Sequence, residues 1–221
     1  MTLTGKRIRK IIARIFICLV IFILLGWLSY QSWLNTAHAV IANKVYRSAQ
    51  LSPEALKRVV ETKHIKTIIN LRGAHPKIQW YQEELAISKQ MGIQHDDVSL
   101  SSYQRPSKTE LRQLISLLQQ AQEPILIHCL SGVDRSGFAS AIALILDENA
   151  SLQQSQRQFS LLYLATSQDS IGKLVFHDYE RWLSTHHLEH SQSHFLEWAY
   201  LPNPFPTTPK TPQRPRPDKV D

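Results

Sequence analysis

The sequence predicts an α/β domain: a mostly parallel central sheet flanked by helices, carried behind one N-terminal transmembrane helix. Three observations predict it. Short, β-rich apolar runs at 65–71, 93–100 and 125–127 are separated by longer segments with helical caps and helical periodicity. Strands that alternate with helices pair in parallel. An almost unbroken apolar stretch lies near the N-terminus. At 221 residues there is room for one such domain plus appendages.

Residues 15–28 are apolar apart from Gly26, and with their flanks they approach the ~20 residues that cross a bilayer. Lys6, Arg7, Arg9, Lys10 and Arg14 precede this run, and no Lys or Arg follows it before Lys44. Trp27, Tyr30 and Trp33 suit an interfacial aromatic belt. The expectation is a basic cytoplasmic segment (1–14), an uncleaved anchor (15–34) and a domain on the exported, periplasmic side. The alternative is a signal peptide cut at the A-x-A site ending in Ala39, which leaves a secreted or periplasmic domain.

The net charge of +7 is not a nucleic-acid signal. The five cations before the apolar run, and four cations against two acids after Leu201, account for all of it. The stretch between them is neutral and offers no basic face.

The elements follow in order. Residues 35–43 read as a linker and 45–47 as a brief edge strand. Ser52 caps a helix that has Pro53 in its first turn and runs to about His64. Strand 65–71 follows, then helix 77–91 stopped by Gly92. After strand 93–100, Ser107 and Glu110 form a capping box that opens helix 111–121. Strand 125–127 runs into a loop, and helices are expected at about 136–147, 152–163 and 171–183. The domain is placed at 40–185. Residues 186–221 are read as a His-rich and then Pro-rich tail, disordered at its end, since seven of the eleven prolines fall after Leu201.

Only two cysteines are present, Cys18 in the apolar run and Cys129 after the strand at 125–127, so no disulfide framework exists. The stretch from His128 to Ser136 (HCLSGVDRS) asks why a lone Cys should be followed by a glycine-containing loop and an Arg six residues on. In parallel sheets, ligands sit beyond the carboxyl ends of strands. A loop entering a helix there presents successive backbone N–H groups and the helix N-terminus to an anion. Gly132 permits backbone that a Cβ would hinder, and Arg135 offers a planar fork for two phosphate oxygens. The same groups favour a thiolate. The loop can bind a dianion and aim a nucleophile at its centre, which is phosphoryl transfer through a cysteine. Ser136 suits stabilising the departing thiolate, and His128 suits ordering the loop from below.

This motif resembles the signature of the cysteine-dependent protein tyrosine and dual-specificity phosphatase superfamily. Residues 46–50 (YRSAQ), 69–73 (INLRG) and 80–84 (WYQEE) resemble segments of bacterial dual-specificity-type phosphatases. The resemblance covers about 45–183. It implies a phosphocysteine on Cys129 and phosphate binding by Leu130, Ser131, Gly132, Val133, Asp134, Arg135 and Ser136. It also implies a phosphorylated substrate, with neither metal nor cofactor.

Many relatives carry the general acid about thirty residues before the Cys, a spacing that Asp97 and Asp96 meet. Those two fall in an expected strand, and the loop after it (101–106) has no carboxylate. Asp134, inside the phosphate loop as in myotubularin-type phosphatases, is therefore preferred, with Asp97 and Asp96 as alternatives. The absence of Lys from 130–136 favours a phosphoprotein over a phosphoinositide or other small phosphomonoester. Further alternatives are a catalytically dead phosphate-binding module and a rhodanese-type sulfurtransferase, which does not need the Asp-Arg-Ser ending. His186, Glu189 and His190 match an H-x-x-E-H metal string, but a solvated His-rich face is the expectation.

Overall fold

The structure, a computed structural model, describes residues 5–147, 149–160, 163 and 165–205. Helix α1 spans Gly5–Leu34. Within it Arg9–Ser29 has a mean hydropathy of 2.8, and none of that span is buried. Long enough and apolar enough to cross a bilayer, α1 is a candidate membrane span.

Five strands form one sheet: β1 (His38–Ile41), β2 (Val45–Ser48), β3 (Thr67–Asn70), β4 (Gln94–Asp97) and β5 (Ile125–His128), in the order β1-β2-β5-β3-β4. All pairs are parallel except β1 with β2. The expected mostly parallel α/β architecture is the one observed. The linker expected at 35–43 is partly wrong, because β1 forms there and moves β2 inward from the edge. The reversal at Asn43, in left-handed conformation, returns the chain onto β2.

Helices α2 (Pro53–Lys63) and α3 (Gln79–Met91) cover one face of the sheet. Helices α4 (Lys108–Gln120), α5 (Asp134–Asp147), α7 (Ile171–His186) and α8 (Gln192–Ala199) surround the larger core on the other. The cap signals act as read. Ser52 accepts from the Ala55 N–H, Ser107 and Glu110 close a full capping box, and Gly92 ends α3 at φ 66°. The helix expected at 152–163 is shorter: α6 (Leu152–Gln156) gives way to a 3₁₀ turn at Arg157–Phe159.

The boundary at 185 needs correction, because the segment expected to open the tail forms α8. Phe195, Trp198 and Ala199 are fully buried. Arg112 donates to the carbonyls of Tyr200 (2.9 Å) and Leu201 (2.8 Å) just beyond the helix. The H-x-x-E-H string does not share a helix face, since α7 stops at His187 in left-handed conformation. His190 hydrogen-bonds Tyr179 (3.0 Å) and the Ala150 carbonyl (3.1 Å), which is a packing role. Residues 206–221, most of the expected Pro-rich tail, lie outside the described residues.

Candidate active site

Strand β5 sits between β2 and β3, so its carboxyl end opens at the middle of the sheet. Its four residues are all buried, which fixes the origin of the loop from Cys129 to Arg135. At the far end of that loop α5 starts at Asp134, two residues earlier than the sequence suggested, and this puts Asp134 and Arg135 in its first turn. Gly132 has φ +71°, and a Cβ there would come within 2.6 Å of the Ala49 nitrogen and 2.8 Å of the Ser48 carbonyl carbon. The loop therefore lies directly on the end of β2, at a distance only glycine permits.

Cys129 and Arg135 are buried, at 1% and 3% exposure, while Leu130 stands 48% exposed at the rim. Burial alone would push the Cys129 thiol up. Arg135, the Ser136 hydroxyl and the backbone N–H groups of Ser136 and Gly132 outweigh it and hold the thiol below its ordinary value.

Asp134 is half-buried, and burial raises its carboxyl above the usual range against the opposing pull of Arg135, Lys173 and Arg47. Asp97 is held differently. Its Oδ1 accepts from Asn70 Nδ2 (2.7 Å), and its Oδ2 accepts from the Tyr81 hydroxyl. Asp96 accepts from Gln94 Nε2 (2.7 Å). Both carboxylates lie on β4, the outer strand, with β3 between them and β5. The structure thus brings Asp134 to the loop and places Asp96 and Asp97 about two strand spacings, or ~10 Å, from β5.

His128 turns away from the loop toward α3. Glu84 Oε1 accepts from the Nε2 of both His128 (3.0 Å) and His95 (2.8 Å), and Glu84 Oε2 accepts from Gln50 Nε2 (2.8 Å). Burial opposes the charged form of Glu84, but the two histidines more than offset this and hold its carboxyl well below the usual range. Gln50 in turn gives its backbone N–H to the Leu130 carbonyl (3.1 Å), so Glu84 braces the start of the loop from two sides. Sequence reading gave Glu84, Gln50 and Asn70 no role. Their only signal was membership of the three resembling segments.

A family model for the DSP-PTPase phosphatase of polymorphic toxin systems matches residues 42–149, a stretch that contains the loop and all five strands but the first. Among solved structures, the chain is similar to the core catalytic domain of the PP-IP phosphatase Siw14 from S. cerevisiae in complex with citrate. That match has 23% identity over 68% of this chain and 92% of that one, at a TM-score of 0.53. It is also similar to Tk-PTP in a mutant form, with 16% identity over 68% of this chain and 97% of that one, at a TM-score of 0.54. No curated protein matches the chain. At these identities the solved structures speak for the fold, while the matched segment and its Cys-to-Arg loop speak for the family. Residues 42–149 thus match a dual-specificity-type phosphatase family, and the chain shares the fold of the two solved phosphatases.

Proposed function

We propose that the domain hydrolyses phosphomonoesters through a phosphocysteine on Cys129, acting as a protein tyrosine or dual-specificity phosphatase. The observation that carries this reading is the buried Cys129 thiol, held below its ordinary pKa by Arg135, Ser136 and the loop amides. A structural cysteine would be pushed the other way by its burial.

The loop amides and Arg135 bind the phosphoryl oxygens of the substrate. Cys129 Sγ attacks phosphorus, a P–S bond forms and the ester P–O bond breaks. Asp134 gives its proton to the leaving oxygen. Water then attacks the phosphocysteine, Asp134 takes the proton released, and the sulfur departs as a thiolate stabilised by Ser136 and Arg135.

The route needs Cys129 ionised and Asp134 protonated. The acid limb of the pH–rate profile then reports the thiol and the basic limb reports Asp134. A depressed thiol and a raised carboxyl both favour such a window. Asp134→Asn is expected to slow alkyl phosphates, whose leaving groups need a proton, by ~10²-fold or more, and nitrophenyl phosphate far less. It should also flatten the basic limb, while Asp97→Asn and Asp96→Asn do neither. The reverse pattern would assign the acid to β4. Phosphotyrosine and phosphoserine peptides, inositol phosphates and inositol pyrophosphates, assayed side by side, test the preference for phosphoprotein.

We also infer that α1 anchors the domain with the N-terminus inside and the catalytic domain exported. Cleavage after Ala39 would remove His38 and Ala39 from β1, where they pair with Arg47 and Tyr46. An intact fold therefore favours an uncleaved chain. A reporter that is active only in the exported compartment, fused after Asp221, should give signal; signal from a cytoplasm-only reporter would reverse the topology.

A further inference from the structure

Arg47, on β2, is almost wholly buried at 1% exposure, and among the described residues it has no carboxylate in ion-pair contact. Removing a guanidinium from water without a carboxylate partner is costly, so its neighbours must supply the compensation. They do so almost entirely as carbonyls. Arg47 Nη2 donates to the carbonyl oxygens of Gly132 (2.6 Å) and Val133 (3.0 Å). Nη1 donates to the Gln158 backbone carbonyl (2.7 Å) and to its Oε1 (3.1 Å). The Tyr163 ring lies against the guanidinium at 4.2 Å. A Cβ on Gly137 would come within 2.5 Å of the Gln158 carbonyl and 3.3 Å of Arg47 Nη2, so α5 approaches this cluster through a glycine.

Two of those carbonyls belong to the phosphate loop. In a planar trans peptide, the C=O of one residue and the N–H of the next point in opposite directions. Arg47 holds the Gly132 and Val133 carbonyls behind the loop, the latter together with the Gly137 N–H (2.9 Å) in the first turn of α5, and the Val133 and Asp134 N–H groups thereby point toward the opposite side. These are amides that a nest needs to face its anion.

The guanidinium is also a second cation behind Cys129. Burial lowers its pKa to about 10, against opposing attractions led by Cys129, so it stays charged at neutral pH. We propose that Arg47 is a positioning residue for the reaction: it aims two phosphate-loop amides from behind and adds positive potential at the thiolate without touching substrate. This rests on the phosphatase reading.

The test uses the full-length chain in detergent and two readouts that need no turnover: tungstate affinity, and the pH midpoint of Cys129 alkylation by iodoacetamide. In Arg47→Met, tungstate binding is expected to weaken by at least ~10-fold, and the midpoint to rise by about one unit. Arg47→Lys keeps the charge but cannot hold four acceptors. It should keep a midpoint near wild type while losing at least ~5-fold in tungstate affinity. Circular dichroism establishes that each variant is folded, and if Arg47→Met is not, Arg47→Lys carries the comparison. Independently of any variant, tungstate added to the wild-type chain should shift the Val133 and Asp134 amide resonances. Tungstate affinity within threefold of wild type in a folded variant, or unshifted amides in the wild-type chain, would overturn the role of Arg47. A wild-type chain with an ordinary thiol midpoint and no tungstate binding would instead overturn the phosphatase reading itself.

Discussion

Cys129→Ser is expected to abolish turnover, by roughly 10⁴-fold or more, while leaving oxyanion binding near wild type. The substitution is almost isosteric at a site with 1% exposure, so the loop keeps its shape. The amides and Arg135 proposed to bind the anion are untouched. What the account loses is its proposed nucleophile, because the donors that hold a thiol below its ordinary value cannot bring a serine hydroxyl into the neutral range. Steady-state hydrolysis of nitrophenyl phosphate together with a tungstate or phosphate titration checks both halves. Wild-type-like turnover in the serine variant would remove Cys129 from the chemistry.

Arg135→Lys should be nearly as severe, with a loss of at least ~10²-fold in kcat/KM although the charge is retained. Arg135 is 3% exposed and sits in the first turn of α5, where a planar fork can engage two phosphoryl oxygens at once. An ammonium at the end of a flexible stem offers a point charge and cannot reproduce that geometry. Its burial would also weaken the attraction that counts most in favour of the Cys129 thiolate. A change below threefold would mean that Arg135 does not contact the transferring group.

The parts of this fold that were legible in the sequence are those set by local chemistry. Ser52, Gly92 and the Ser107–Glu110 box mark helix ends because each satisfies backbone groups within its own turn. The loop from Cys129 was legible because all its candidate groups lie within eight consecutive residues, ending at Ser136. What escaped depends on distant partners. Strand β1 is four residues long and forms because β2 presents an open edge and Asn43 tolerates the reversal. The helix α8 was hidden by histidines and serines. Its apolar face rests on Phe195, Leu196, Trp198 and Ala199, a helical spacing that the polar residues around it obscured. Glu84 meets His128 across 44 positions, and Arg47 meets Gln158 across 111. No local pattern announces such pairs, because β2 and β3 must first be laid on either side of β5, with α3 and the turn after α6 packed against the sheet.

The same distinction governs the acid. The thirty-residue spacing pointed to Asp97 and Asp96, whereas the strand pattern pointed away from them. The structure gives the Asp97 oxygens to Asn70 and Tyr81, and it leaves Asp134 half-buried at the start of α5 beside the loop. That placement supports Asp134 and gives the leaving-group comparison its expected direction.

The central claim is a covalent phosphoenzyme on Cys129, and the most direct measurement is to catch it. Full-length protein is mixed with a labelled aryl phosphate, quenched in acid within the first turnovers, digested and mapped by mass spectrometry. The account predicts one phosphoryl group on the peptide that carries Cys129, stable in acid, absent from Cys129→Ser and accumulating when the second step is slowed. Turnover with no phosphoryl group on that peptide, or with the label on another acid-stable residue, would contradict it.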